Sequence, residues 1–308
     1  MKNVKTLLIF ITISTFVFAS TTRTDALGGA GFWADDYANV WNFPAAVNDH
    51  NVAYTSGNNF ATIFDQGGTK WGFAGGKNDD EVVNMNWGNG TMGARFGLSM
   101  KPESAEGADD AATGYNLGFG MPLAGMDFGF GYDDSGTIGL NVRRAQDIWV
   151  WNNVLIGFGM TPEDFADGAS QASNMNFGVD CYTNRSYGDG TNGLFALGFH
   201  YGAEGAATDG GTAPDATMNL VWNFGVESEM TDWATLRLGY ETMYDAGGGA
   251  NTAGTLKGGL GFNYDSFQLD MALTSVSSLV HDPVVYMTGR NTGVGNQLGA
   301  AWTITYSW

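Results

Sequence analysis

Residues 297–308 read Gln-Leu-Gly-Ala-Ala-Trp-Thr-Ile-Thr-Tyr-Ser-Trp, and they alternate strictly: Leu298, Ala300, Trp302, Ile304, Tyr306 and Trp308 are apolar, and the residues between them are small or polar. Successive side chains of a β-strand point to opposite faces, so such a strand has one face suited to lipid and one suited to a polar interior. Twelve extended residues rise about 40 Å and, tilted by ~40°, still cross a hydrocarbon layer of about 30 Å. An edge strand of a soluble sandwich shows the same alternation, so the remainder of the chain has to decide.

Upstream, the pattern recurs. Met92, Ala94, Phe96, Leu98 and Met100 alternate with Gly93, Arg95, Gly97, Ser99 and Lys101, and Met126, Phe128, Phe130 and Tyr132 with Asp127, Gly129, Gly131 and Asp133. Further segments at 115–121, 138–143, 195–201, 218–226, 236–244, 256–264 and 267–273 follow the same rule. Many short period-two segments with an apolar and a polar-or-glycine face predict an all-β, antiparallel, up-and-down transmembrane barrel. Connections also alternate. Tight ones at 88–90, 122–125, 144–147, 230–233 and 264–267 interleave with long polar ones at 102–112, 161–171, 205–214, 245–253 and 274–294. Short periplasmic turns facing longer outer loops are the expected asymmetry. Two connections blur it: 185–192 is long for a turn, and 133–136 is short for a loop. Counted back to Lys70, the strands number about fourteen, with twelve and sixteen as alternatives, and 51–60 falls outside the count.

Lys2 and Lys5 precede an apolar run from Leu7 to Phe18, with Val17 and Ala19 at the spacing of a signal-peptidase site. This is the pattern of a cleaved secretory signal, residues 1–19. No later run of 18 apolar residues occurs, so a membrane span here must be β. The single cysteine, Cys181, cannot form an internal disulfide. A net charge of −19 argues against nucleic acid as a partner. Neither Gly-x-Ser-x-Gly nor His-Glu-x-x-His occurs, and His281-Asp282 stands in a loop, so no enzyme, cofactor or metal is expected. Clustered acids such as Asp79, Asp80, Glu103, Glu106 and Asp109 lack the ordered spacing of a calcium loop.

Between Thr21 and His50 no alternation appears; small residues and turn formers suggest a compact irregular segment with a short helix from Asp35. Its Gly28-Gly29-Ala30-Gly31 turn, its Asp35-Asp36 start and its Asn42-Phe43-Pro44-Ala45 run resemble the N-terminal hatch of FadL-type fatty-acid channels. Asn42, Pro44 and Ala45 match the Asn-Pro-Ala motif, which Phe43 interrupts. The terminal strand ending on Trp308 likewise resembles the signal by which barrel-assembly machinery recognises outer-membrane proteins.

The resemblance implies a plug over residues 20–69, a barrel over 70–308, and a place in the outer membrane of a Gram-negative bacterium. It implies plug-gated passive uptake of small hydrophobic or amphipathic molecules. The related barrels include secretion and assembly accessories, and a cation-preferring porin is the further alternative. Phe32, Trp33, Trp41 and Phe43 are then expected to be buried. Of the inward polar residues, Arg95, Arg143, Arg237 and Lys257 are the candidates for an anionic group on a ligand, although a ladder that stiffens the lumen needs the same residues. The inward glycines Gly118, Gly120, Gly129 and Gly131 leave room for a plug or lie beneath aromatic rings.

Overall fold

A computed structural model describes residues 21–28, 31–57, 59–76, 81–101, 112–164, 171–206, 211–247, 252–273, 276 and 300–308. The expected signal peptide, His281-Asp282, and most of the acidic loop residues lie outside them. Sixteen antiparallel strands form a closed barrel: β1 (Val52–Ser56), β2 (Asn59–Gln66), β3 (Thr69–Gly76), β4 (Glu81–Gly88), β5 (Gly93–Lys101), β6 (Ala112–Leu123), β7 (Met126–Asp133), β8 (Ile138–Ile148), β9 (Trp151–Thr161), β10 (Asn174–Gly188), β11 (Thr191–Glu204), β12 (Thr217–Thr231), β13 (Ala234–Asp245), β14 (Thr252–Tyr264), β15 (Phe267–Leu273) and β16 (Ala300–Ser307). Each strand pairs with its sequence neighbours, and β16 closes on β1 through the register Val52 with Ser307 and Tyr54 with Thr305.

The count of about fourteen is therefore corrected to sixteen, and the two additional strands are β1 and β2. They escape a search for alternation because their inner faces are apolar. Val52 and Tyr54 of β1, with Ala61 and Ile63 of β2, are buried against Val40, Ala46 and Val47 of the N-terminal segment. Phe60 on the other face of β2 is exposed, so both faces of that strand are apolar and the period of two vanishes. The segment 51–60, left outside the count, is thus largely part of the wall.

The terminal strand has the predicted polarity. Trp302, Ile304 and Tyr306 are 41%, 41% and 39% exposed, whereas Thr303 and Thr305 are 0% and 2%. Apolar residues point out and hydroxyls point in, the reverse of a water-soluble barrel. Phe96, Leu117, Phe119, Phe130, Phe177, Phe199, Phe224 and Leu238 continue the exposed apolar band around the wall.

Turn geometry explains the blurred connection at 185–192. β10 runs on to Gly188 with an irregularity between Ser186 and Gly188, and the link to β11 is only Asp189-Gly190. Both residues have positive φ (48° and 69°), as do Ala124-Gly125 between β6 and β7 and Gly67-Gly68 between β2 and β3. Two left-handed residues in succession match the right-handed twist of the strands they join. These tight links lie at the end of the barrel where β16 also ends; the short links 57–58 between β1 and β2 and 134–137 between β7 and β8 lie at the other end.

The N-terminal segment packs on the inner face of the wall. Helix α1 (Thr21–Leu27) lies against β12, β13, β14, β15 and β16, and the 3-10 turn Pro44–Asp49 lies against β3, β4, β5, β6 and β7. Another 3-10 turn, Tyr37–Trp41, is capped by the Asp36 side chain, which accepts a hydrogen bond from the Ala38 amide.

Candidate functional site

Two patches of inward glycine receive this segment. Gly93, Gly120 and Gly129 stand in register across β5, β6 and β7. A Cβ on Gly93 or Gly129 would overlap the backbone carbonyl of Pro44 or Asn42, and one on Gly120 would crowd the Pro44 and Ala45 nitrogens. The matched residues Asn42, Pro44 and Ala45 therefore lie flat on a floor that only glycine provides. Across the barrel, Gly225, Gly239 and Gly259 of β12, β13 and β14 do the same for Ala26 and Leu27 of α1. Of the expected pair Gly118 and Gly131, the first meets Pro44 Cγ at 3.3 Å from its built Cβ, and the second meets only Leu117 O and Arg95 Nη2, near 4 Å. Aromatic cover also occurs, as Phe60 over Gly75 and Tyr187 over Gly193.

Charged groups hold the segment as well. Arg23 of α1 makes a two-pronged contact with Glu227 of β12 (Nε 3.0 Å, Nη2 2.9 Å) and approaches Asp36 at 3.5 Å and Asp35 at 3.3 Å. Burial acts to lower the pKa of Arg23, but the hydrogen bond and charge of Glu227, with Asp35 and Asp36, outweigh it and raise the value. Burial pushes the Asp36 carboxyl up to about 6, against the pull of Arg23 and of the Ala38 N–H. Hydroxyl contacts join the segment to β16: Thr22 to Thr303 at 2.8 Å and Tyr37 to Thr305 at 2.9 Å.

The four cationic candidates are dispersed around this framework. Arg95 donates to the Trp41 carbonyl (3.1 Å) and lies 4.7 Å from the centre of the Trp41 ring. Arg143, 7% exposed, contacts Asp127 (2.8 Å), the Gly31 carbonyl (3.1 Å) and the face of Phe43 (4.5 Å). Arg237 bridges Glu227 (2.7 Å) and Asp270 (2.5 Å), and Lys257 pairs with Glu241 (2.6 Å). Arg237 therefore shares Glu227 with Arg23. The sequence pattern placed these cations on the inner face, but not the pairing, because Arg23 and Glu227 are 204 residues apart and strand alternation carries no signal of such a partner.

Phe32, Trp33 and Phe43 are buried as expected, at 5%, 2% and 2% exposure, whereas Trp41 is only half-buried. Its ring borders a cavity of about 630 Å³. Asp36, Asn39 and Asn42 of the segment form its floor, Asn116, Asn141 and Asn176 part of its wall, and Asp134, Ser135 and Thr137 the side toward the longer connections. Arg95, Lys257 and Glu241 also border it. Beyond the segment, toward the tight turns, Ala45, Asn48, Gly90, Thr91, Asp127 and Arg143 line a recess of about 230 Å³. Among the described residues, no three His, Cys, Asp or Glu side chains gather as a metal site would require.

No protein-family model matches the chain, and no curated protein does. Similar solved structures exist. A bacterial polysaccharide outer membrane secretin matches 83% of this chain and 97% of its own at 9% identity, with a TM-score of 0.51. An anion-selective porin from Comamonas acidovorans matches 84% and 96% at 14% identity, with a TM-score of 0.46. The translocator domain of autotransporter NalP from Neisseria meningitidis matches 83% and 87% at 13% identity, with a TM-score of 0.24. The fold is accordingly that of the outer-membrane β-barrels. The likeness extends to that class and does not single out the FadL-type channels within it.

Proposed function

We propose that the chain spans the outer membrane of a Gram-negative bacterium, that residues 21–50 plug the barrel, and that small molecules pass when the plug yields. The observation that carries this reading is the division of the lumen into a 630 Å³ cavity and a 230 Å³ recess with the N-terminal segment between them. The exposed apolar band is the surface for outer-membrane lipid, and β16 is the strand offered to the assembly machinery. The resemblance of Asn42, Pro44 and Ala45 to the hatch motif gains a physical basis, since these residues sit on the glycine floor. Amides, hydroxyls and carboxylates share the lining of the cavity with apolar surface from residues such as Trp41, Tyr132 and Met160, which suits an amphipathic solute. Of the charged residues around the cavity, Asp25 and Asp36 leave with the plug, and the wall keeps Asp133, Asp134 and Glu241 against Arg95 and Lys257, a slight excess of negative charge.

Deleting residues 28–46 tests the plug. The shortened chain should still insert, and its conductance in planar bilayers should rise several-fold over the intact protein. Normal insertion with unchanged conductance would remove the channel reading in favour of an assembly or secretion accessory.

A further inference from the structure

Not every inward glycine is covered by the N-terminal segment. Gly131 and Gly139 face each other across β7 and β8 and border the large cavity. Among the described residues nothing lies within 4 Å of a Cβ built on Gly139, and the nearest atom to one on Gly131 is 3.8 Å away. Neither residue has a positive φ. A glycine within a strand weakens it and normally marks a bend or a close approach. Here no close approach accounts for it, and the consequence of the missing side chains is space.

Asparagine amides make up part of the wall of that space, and Arg95 stands at its Gly131 end, with Nη2 4.0 Å from a built Cβ. Asn141 on β8 and Asn174 and Asn176 on β10 border it, and among the described residues their side-chain amides have no hydrogen-bond partner. Asp133 and Asp134, at the edge, are already engaged: Asp133 accepts from the Ser135 and Thr137 amides, and Asp134 from the Tyr115 amide. Each asparagine amide offers two donor hydrogens and an acceptor oxygen. Half-buried Trp41, with the Arg95 guanidinium over its ring at 4.7 Å, stands at the floor.

Building on the plugged-channel reading, we infer that the Gly131–Gly139 arc is a binding site for a neutral polyhydroxylated solute of sugar type. A hydroxyl donates and accepts at once, and an asparagine amide complements it in either sense. An alkyl chain would leave the amides without partners, and the charges at the margin are of both signs, Arg95 against Asp133 and Asp134, so they do not select an ion of either sign. A cavity of about 630 Å³ lies within the roughly 300–1,000 Å³ of small-molecule sites.

Titration calorimetry on the full chain, refolded in a zwitterionic detergent free of sugar, tests the site with maltotriose as probe and with laurate and spermidine as comparators. Maltotriose should bind saturably and more tightly than either. A Cβ on Gly139 meets no described neighbour within 4 Å, so Gly139→Leu, which projects into the space, should fold, as judged by heat-modifiable gel migration, and lose at least tenfold in affinity. Should that variant not fold, Asn174→Ala with Asn176→Ala should produce the same loss. Absence of saturable maltotriose binding, tighter binding of laurate or spermidine, or wild-type affinity in a folded variant would overturn the assignment. The two readings fail separately. Sugar binding without a conductance rise on plug deletion would refute passage and leave the site standing; the rise without sugar binding would refute the site alone.

Discussion

Asp36 carries the least comfortable charge in the N-terminal segment. Its carboxyl caps the turn at Tyr37–Trp41, meets Arg23, and is pushed by burial from 3.8 up to about 6. Because the docked value lies above the free one, its contribution to docking is full below about pH 4 and is lost as pH rises through 6. Bilayer conductance should therefore increase from pH 4 to 7, and Asp36→Asn, which keeps an acceptor for the Ala38 amide, should lessen that slope. An identical slope in the variant would place the pH response elsewhere. At the glycine floor, Gly129→Val drives a side chain into the Asn42 carbonyl. Overpacking of this kind costs about 1–3 kcal/mol. The segment should become accessible to protease while the barrel stays folded, with loss of barrel folding marking a structural role for Gly129 in the wall itself.

At the scale of the element, β16 and β2 show when a strand announces itself. β16 alternates because its inner hydroxyls, Thr303 and Thr305, bond to Thr22 and Tyr37 while Trp302, Ile304 and Tyr306 face outward. In β2 the inner positions Ala61 and Ile63 meet an apolar cluster instead, so its two faces are alike. The membrane reading makes a demand on β16. Ile304→Arg places a cation on the outward face, at a cost of about 2–4 kcal/mol near the midplane of a bilayer. The heat-modifiable folded fraction should fall in lipid vesicles. Unchanged folding would show that lipid does not cover this face.

For the molecule as a whole, the gathering of tight turns at one end sets the orientation. In a Cys181→Ser background, Ser135→Cys in the connection between β7 and β8 should react with a membrane-impermeant thiol reagent on intact cells. Gln146→Cys, near the tight turn between β8 and β9, should react only after lysis. The opposite pattern would invert the barrel. Residues 108 and 168, in the long connections 102–112 and 161–171, lie outside the described residues. What the sequence determined by itself was the wall: outward rings alternating with inward glycines and polar residues, and short links alternating with long ones. Both follow from strand geometry, which is local and repeats every two residues. Closure was settled only in three dimensions, since β1 is recognised as a strand of the barrel by its register with β16, some 250 residues away. The fate of each inward residue was settled there too. Gly129 and Gly139 are indistinguishable in sequence, yet one bears the Asn42 carbonyl and the other open space, because the path of the N-terminal segment across the lumen, held by contacts such as Arg23 with Glu227, decides which glycines are filled.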